Sequence, residues 1–389
     1  MVRLSAYTAL PGLHLMPRRH SLCYYVYFTG SFVIKWIECP ILLLTVDVQV
    51  KLVGQGECGL VYRKLCSALT TFLVRSSLAW TRPISHLAKC FGTGNALPLD
   101  DDVDPNLESS TLSSIGPLQL TTLLYFSGVM ADEIGRLDAN ASTSSRLHAG
   151  MELNVRDVSN LLDFSFHQTP HTIKKEALRT FLAWINYAQP TWPGQPEALQ
   201  YLRDLIGPAA ECLTDKEVAS EAMDVFRDVL EGYTSFFKPE HMNTIAHIIH
   251  DHVRPALVRA LYERDTDGQH VIYGQFVIAF ACANIQQVVE EPSRELGSQV
   301  IVKLHFDILA AEGYPGDDDQ LSTLSIEFWN TYVEYVNDAL FSSDAGDAQL
   351  SWMPQAKATL NQAFQLIWKK MLTPPADVVQ NWSDEERDG

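Results

Sequence analysis

The 389-residue chain lacks the short motifs that mark common catalytic and nucleotide-binding sites. It contains no GxSxG, no HExxH, no Gly-Lys-Ser/Thr phosphate loop and no complete EF-hand loop around Asp265 to Gly268. The segment from Gly54 to Tyr62 matches the GxGxxGxV loop of protein kinases, but the Val-Ala-Ile-Lys, His-Arg-Asp and Asp-Phe-Gly segments of a kinase are missing. We therefore predict a protein that is not an enzyme, with no catalytic residue and no cofactor.

Cysteine is scarce and irregularly spaced. The seven cysteines, at positions 23, 39, 58, 66, 90, 212 and 282, contain no CxxC pair. This pattern predicts reduced intracellular thiols, several of them in the core. A histidine group at His247, His250 and His252, next to Asp251, has residues three apart on one face of a helix, but His252 points elsewhere. We expect polar histidines on a helix surface and no metal site.

Basic residues become rare after the first 90 positions. Those 90 residues hold ten Lys and Arg against three Asp and Glu, which leaves 19 basic and 44 acidic residues for the remainder. Such a surface disfavours direct contact with nucleic acid and favours basic protein partners. Two acidic runs are candidate contacts for a basic partner, although such runs are most often solvated loops. They comprise Asp100, Asp101, Asp102, Asp104, Asp317, Asp318 and Asp319.

A long uninterrupted apolar run is also absent. A span from Leu22 to Val46 would carry Lys35, Glu38 and Pro40 near its middle, which is costly in a bilayer, so we predict no membrane segment. A secretory signal is disfavoured because the basic pair Arg18-Arg19 comes late. We interpret residues 1–55 as an atypical, disordered or mispredicted N-terminal segment and residues 56–389 as the folded part.

Amphipathic helices are what the chain does contain, and two of them share a sequence pattern. The residues Glu176-Ala177-Leu178-x-x-Phe181 recur 45 positions later as Glu221-Ala222-Met223-x-x-Phe226. From Ile173 and from Val218, apolar residues recur at helical spacing, while Lys174, Lys175, Glu176 and Arg179 occupy the other side of the first helix. Each stripe needs a neighbouring helix to cover it.

The same spacing predicts further helices on both sides of this pair. Residues 196–213 would form the partner of the first helix, with Pro190, Pro193 and Gly194 at the turn. Phe276 and Phe328 continue the pattern at intervals of 50 and 52 residues, and no run of alternating strands is evident after residue 60. The other predicted helices are 61–74, 117–137, 154–166, 271–289, 296–311, 322–340 and 355–371. Five or six such pairs indicate an all-α superhelix of the HEAT or armadillo type.

Three short segments resemble those of a known family in order and spacing. They are Arg63 to Leu69 followed by Trp80, then Ser325 to Asn330, then Trp382 to Glu386. With them, residues 57–389 resemble the importin-β superfamily of nuclear transport receptors, and within it the branch of importin-13 and transportin-SR, including fungal members.

This resemblance implies a HEAT-repeat receptor that shuttles between nucleus and cytoplasm. Such receptors bind protein cargo on the concave surface and phenylalanine-glycine nucleoporins on the outer one, and the GTPase Ran in its GTP form releases import cargo. The acidic composition would then suit basic cargo. Direction of transport and cargo identity do not follow from these residues.

The chain also departs from the family. Full receptors are more than twice as long, and the helix around Lys64 normally follows about two repeats that contact Ran. We therefore expect a partial receptor, incomplete at both ends, in which Ran binding is not assured and apolar helix faces are left uncapped. The alternative is a stand-alone helical-repeat scaffold, or a regulatory subunit for protein assembly, which would share the solenoid but not the three family segments.

Overall fold

The computed structural model describes residue 47 and residues 59–75, 80–98, 107–138, 144–263, 268–293, 298–311, 320–342 and 350–371. Every regular element in these residues is helical, so the predicted all-α class is confirmed. The α-helices are α1 (Gly59–Arg75), α2 (Pro83–Thr93), α3 (Ser109–Ser113), α4 (Pro117–Gly135), α5 (Ser145–Phe166), α6 (His171–Thr191), α7 (Pro196–Arg203), α8 (Ile206–Glu211), α9 (Ala219–Gly232), α10 (Pro239–Ile248), α11 (Arg254–Glu263), α12 (Gln269–Ala283), α13 (Ile285–Glu290), α14 (Val300–Ala310), α15 (Gln320–Ser342) and α16 (Met353–Lys370).

The helices form two layers. In the first layer α1, α4, α6, α9, α12 and α15 pack side by side in chain order. In the second layer α2, α5, α7 with α8, α10 with α11, α14 and α16 do the same. Consecutive helices of the two layers form hairpins, and this is the stacked-pair arrangement of a helical-repeat superhelix.

The buried stripe of α6 shows why the layers adhere. Its members recur every three or four residues and are each at most 2% exposed: Ile173, Ala177, Phe181, Trp184, Ile185 and Ala188. Covering one large apolar side chain contributes about 1.5–3 kcal/mol, so a helix with four such positions and two buried alanines is held by packing and not by its intrinsic propensity. Phe226, Phe276 and Phe328 are likewise buried in α9, α12 and α15, as the repeat predicts.

Small residues let the first-layer helices approach one another closely. Gly128 of α4 faces Thr180 of α6, where an added Cβ would lie 3.5 Å from the Thr180 Oγ1 atom. The Thr180 hydroxyl donates to the Leu124 carbonyl at 3.0 Å, and the Trp184 indole N–H donates to the Ser127 hydroxyl at 2.9 Å. These bonds satisfy polar groups that would otherwise be buried without partners.

Proline breaks one of the expected helices and accompanies a local irregularity in another segment. Residues 196–213 form α7, α8 and a short 3₁₀ turn at Cys212–Thr214 instead of one helix, because Pro208 lacks an N–H and its ring clashes with the carbonyl four residues earlier, at Asp204. The segment from α10 to α11, for which the sequence pattern gave no helix, contains a π-helical turn, Ile249–Val253, that ends two residues before Pro255. An extra residue in that turn accommodates the proline.

Other boundaries also differ from the sequence expectation. The predicted helix 271–289 is divided at Asn284 into α12 and α13, and α5 begins nine residues before the expected Asn154. Pro190 lies inside the last turn of α6 instead of marking its end. Glu176 was expected on the polar side of α6 but is only 6% exposed, since the neighbouring first-layer helices cover both flanks of α6.

Candidate interaction surface

The two acidic runs proposed as contacts for a basic partner lie outside the described residues. Asp100, Asp101, Asp102 and Asp104 fall in the gap before Leu107, and Asp317, Asp318 and Asp319 fall in the gap before α15. Their role as contacts stays a prediction. The chain on either side of the first run is described, and hydrogen bonds from α5 hold it.

Three polar residues of α5 bond to the described segments on both sides of that first gap. The Asp157 carboxylate accepts hydrogen bonds from the Leu107 backbone N–H at 3.0 Å and the Ser85 hydroxyl at 2.6 Å. The Asn160 side chain donates to the Leu107 carbonyl at 3.0 Å, and the Asn154 side chain donates to the Thr81 carbonyl at 2.8 Å. Residue 107 is therefore anchored to the second layer.

Burial at this anchor changes the properties of the carboxyl group. The Asp157 side chain is inaccessible to solvent, and desolvation raises its pKa above the ordinary value, while the bonds from Ser85 and Leu107 and the nearby Arg82 oppose that rise. The Arg82 guanidinium lies 3.6 Å from the carboxylate. Asp157 therefore has a structural role, since each of its carboxylate oxygens already accepts a hydrogen bond.

Charged side chains connect neighbouring repeats along the exposed face of the first layer. Glu221 of α9 lies 2.9 Å from the Lys175 ammonium and 3.9 Å from the Arg179 guanidinium of α6. Farther along, the Arg227 guanidinium donates to the Gln275 side chain of α12 at 2.8 Å. Partly exposed pairs of this kind contribute at most about 1 kcal/mol each, so their main effect is to fix the register of adjacent helices.

Beyond these pairs the face becomes acidic, and we name the group Asp224, Asp228, Glu231 and Glu327 the acidic face. Asp224 and Asp228 flank Arg227, each within 3.2 Å of its guanidinium. Glu231 of α9 and Glu327 of α15 both lie near Cys282 of α12, where burial first, and then these two carboxylates, raise the pKa of the thiol. Carboxylates from two helices therefore converge across α12.

The sequence contains a spacing of acidic residues that could have indicated this group. Asp224, Asp228 and Glu231 are spaced by four and three residues, which places them on one line of α9. Burial raises the pKa of Asp224, and the neighbouring Asp228 and Glu221 add to that rise against the opposing effect of Arg227. Glu327, from a helix about 100 residues farther along the chain, could not be joined to them without the fold.

The histidine group lies on the exposed side of α10 and of the π-helical turn that follows it. The His250 imidazole lies 2.6 Å from the Asp251 carboxylate, which lowers the pKa of that carboxyl group. Among the residues that the structure describes, no cluster of three or more His, Cys, Asp or Glu side chains has the geometry to hold a metal ion. His247 and His252 lie near Asp251 on the exposed surface, and the group remains a set of polar surface residues.

Other sequence candidates are placed in the core. Phe181, Trp184, Phe328 and Trp329 are all at most 3% exposed, so they are packing residues. Cys66 is fully buried, whereas Cys282 is partly exposed. Within the described ranges, no helix is long and apolar enough to cross a lipid bilayer; the segment from Leu22 to Val46 lies outside those ranges.

The family segments are divided between described and undescribed parts of the chain. Arg63 to Leu69 lies in α1, with Cys66 and Leu69 buried against α4, and Ser325 to Asn330 lies in α15. Trp382 to Glu386 lies outside the described residues, as do residues 1–55 apart from position 47. The first two segments are therefore parts of packing helices of the first layer.

Comparison with known proteins gives one informative similarity. No protein-family model matches the chain. The chain is similar to Importin beta-like protein kap111 of Schizosaccharomyces pombe, with 21% identity over 216 residues. Those residues are 55% of this chain and 21% of the yeast protein, so the match spans about a fifth of its relative. Together with the two-layer helical fold, this similarity supports the importin-β superfamily and does not distinguish a branch within it.

Proposed function

We propose that the chain is part of a nuclear transport receptor, of the importin-13 and transportin-SR branch, which carries protein cargo through nuclear pores under the control of Ran-GTP. The observation that carries this proposal is the similarity to an importin-β-like protein in a chain folded as two layers of stacked helices. Neither feature alone would be sufficient, because helical solenoids serve many functions.

The fold suits a protein that works by binding. Each helix pair contacts only its neighbours, so a long array presents extended surfaces and can change curvature through small rotations at each interface. Coupling between cargo and Ran-GTP would then mean that binding of one ligand changes the binding free energy of the other, and no reaction needs to be catalysed. The buried Asp157 and Glu176 carboxyl groups fit this view, because both are enclosed in packing.

The charge of the first-layer face supports the proposal of a basic cargo. The acidic face brings four carboxylates to one side of α9 and α15, and Arg227 is the basic side chain within hydrogen-bond distance of two of them. The chain as a whole has a formal net charge of −18. Basic proteins would be attracted to this face at low salt, and the attraction would weaken as ionic strength rises. Nucleoporins would use other, less charged surfaces.

The first test is binding of the purified full chain to Ran loaded with GTP, and in parallel to Ran loaded with GDP. Selective binding to the GTP form would support a receptor and would indicate that the described repeats contact Ran. A matched arm uses immobilised phenylalanine-glycine repeats of a nucleoporin, with serine replacing phenylalanine in the control.

The outcomes separate the two functional classes. Binding to the nucleoporin repeats without binding to Ran would retain a transport role and place the Ran contacts elsewhere in a longer receptor. Failure to bind either would overturn the transport proposal and favour a helical-repeat scaffold. In permeabilised cells, a receptor would also accumulate at the nuclear envelope and in the nucleus and cytoplasm, whereas a scaffold has no reason to do so.

A further inference from the structure

The contact between α6 and α9 is built differently from the contact between α6 and α4. Toward α4, Gly128 faces Thr180 and allows a close approach, and buried hydrogen bonds from Thr180 and Trp184 join the two helices. Toward α9, large side chains lie between the helices instead, among them Phe181 and Phe226. Because large side chains increase the distance between helix axes, α6 packs less closely against α9 than against α4. We call the contact of α6 with α9 the α6–α9 junction.

A narrow apolar gap lies inside the α6–α9 junction. Its empty space amounts to about 180 Å³, and at every point it is too narrow for a water molecule. Atoms that line such a gap lack contact partners on one side and lose part of the dispersion energy that close packing provides. Its walls include Phe181, Ile185, Val225, Phe226, Val229 and Phe236. The apolar part of the junction therefore opposes a small relative movement of the two helices only weakly.

Polar contacts across the junction lie at its surface, near the start of each helix. The Lys174 ammonium donates to the Asp215 carboxylate, just before α9, at 2.9 Å. Glu221 of α9 lies 2.9 Å from the Lys175 ammonium and 3.9 Å from the Arg179 guanidinium. We name these five residues the ionic clasp. Within the described ranges of the chain, no buried hydrogen bond joins α6 to α9, so the clasp provides the polar contacts that set their register.

Salt acts on the ionic clasp but not on the apolar gap. The side chains of the clasp are 20–56% exposed, so dissolved ions screen their attraction. The Debye length falls from about 14 Å at 50 mM salt to about 4 Å at 500 mM salt. Each pair is weak alone, but the three pairs act on one junction, where little apolar packing opposes a movement. The contact of α6 with α4 has no such dependence, because buried hydrogen bonds and close packing hold it.

From this contrast we propose that the α6–α9 junction is a hinge of the superhelix and that the ionic clasp holds it closed. With the clasp formed, α6 and α9 stay in one register and the first layer is continuous. With the clasp screened or removed, the repeats on either side rotate about the apolar contact, so the curvature changes at this junction more than at its neighbours. This inference does not depend on the transport proposal.

Cys212 provides a natural probe of the hinge. It lies in the turn before α9, near Lys174 and Asp215, and is 2% exposed, so a thiol reagent reaches it only when the junction opens. Cys66 of α1, buried against α4, is the internal reference. We expect the rate of N-ethylmaleimide labelling at Cys212, relative to Cys66, to rise at least about threefold between 50 and 500 mM salt. Mass spectrometry of peptides from the labelled full chain measures both rates.

Removal of the clasp should have the same effect as salt. Lys174→Gln with Lys175→Gln should produce the faster labelling already at 50 mM salt, together with a changed radius of gyration in small-angle X-ray scattering. Burial raises the pKa of the Cys212 thiol and the Lys174 charge opposes that rise, so loss of the charge would by itself slow labelling, and a faster rate reports opening.

A matched double variant controls for net charge. Arg136→Gln with Lys216→Gln removes the same two positive charges outside the clasp and should change neither the labelling rate nor the radius of gyration. Circular dichroism verifies the fold of both double variants. The inference is overturned if salt leaves Cys212 no more reactive relative to Cys66, if the two double variants label equally, or if faster labelling comes with an unchanged radius of gyration.

Discussion

The imidazole ring of His305 lies 3.8 Å from the ring of Phe328, centroid to centroid, where α14 packs against α15. Its Nδ1 atom is 2.9 Å from the Ile301 carbonyl, and its Nε2 atom has no hydrogen-bond partner among the described residues. Burial lowers the pKa of His305 to about 4. A cation at this position would lie between aromatic rings without solvent, so the neutral form is required for this interface.

A dependence of stability on pH follows from that shift. Because the pKa of His305 is lower in the folded state than the ordinary 6.5, its full stabilisation is present above pH 6.5 and is lost as pH falls toward 4. We expect His305 to account for about 1 kcal/mol of the loss in unfolding free energy between pH 7.5 and 5.5. In urea unfolding, the loss of unfolding free energy between the two pH values should be smaller by about 1 kcal/mol in His305→Gln than in the parent protein. The exposed control His252→Gln should lose as much as the parent.

The bond between Trp184 and Ser127 gives a second prediction. Trp184→Phe removes a buried N–H that donates to the Ser127 hydroxyl and leaves that hydroxyl without its donor. Trp192 is also buried, at 1% exposed, but its Nε1 atom has no hydrogen-bond partner among the described residues. Trp192→Phe therefore loses only packing contacts. We expect Trp184→Phe to lower the free energy of unfolding by about 1 kcal/mol more than Trp192→Phe does, as measured by thermal or urea unfolding. Equal losses would mean that the bond contributes nothing.

Much of the fold could be predicted from the sequence, because the spacing of apolar residues reports which side of each helix is buried. The equivalence of Phe181 and Phe226 follows from that spacing, and adjacent first-layer helices hold both rings in the core. Spacing does not report which helix covers a given side. The burial of Glu176 was missed for that reason, since α6 has first-layer neighbours on both flanks.

The candidate surface was less predictable than the fold. Acidic runs are conspicuous in a sequence, and Asp100 and Asp317 begin two of them, but they lie outside the described residues. The carboxylates that the fold brings together, Glu231 and Glu327, belong to different repeats and are separated by too great a distance in sequence for any local pattern to join them. Convergence across α12 depends on the order of helices in the layer.

Close packing between α12 and α15 makes Gly274 sensitive to substitution. A Cβ at this position would overlap the Leu321 side chain, including its Cγ atom at 3.1 Å. We expect Gly274→Ala to destabilise the chain by about 1–3 kcal/mol, because the helices must move apart or Leu321 must leave its rotamer. Gly207→Ala in α8 is the control: nothing lies within 4 Å of its added Cβ, and stability should stay equal or rise by up to about 1 kcal/mol.

The double variant Gly274→Ala with Leu321→Ala separates overlap from helix propensity. If overlap is the cause, the two changes together should cost less than the sum of their separate costs, since the smaller side chain makes room for the new methyl group. Additive costs in urea unfolding would contradict this explanation.

Asp157 should be important for the anchoring of residue 107. Asp157→Ala leaves the Leu107 N–H and the Ser85 hydroxyl without their acceptor, and we expect a loss of about 2–4 kcal/mol in unfolding free energy. Limited proteolysis should also show faster cleavage near residue 107. Asp163→Ala on the same helix removes an exposed carboxylate, so its effect should stay within about 0.5 kcal/mol and leave cleavage near 107 unchanged.

The acidic face provides the most direct link between structure and the proposed function. Neutralising Glu231 and Glu327 together, as Glu231→Gln with Glu327→Gln, removes two carboxylates that converge near Cys282. We expect binding of an arginine-rich peptide to weaken about threefold to tenfold at 50 mM salt, and the difference to shrink at 500 mM salt, where the Debye length falls below about 5 Å. Fluorescence anisotropy with a labelled peptide measures both constants.

A second double variant separates the effect of the position of the carboxylates from the effect of total charge. Glu240→Gln with Glu263→Gln removes the same two charges from α10 and α11 of the second layer, where both side chains are exposed. If the peptide binds at the acidic face, this control should lower affinity by less than about twofold, because those carboxylates act only through the screened long-range field. Equal effects of the two double variants would assign the attraction to the net charge of −18 and would leave the acidic face without a role of its own.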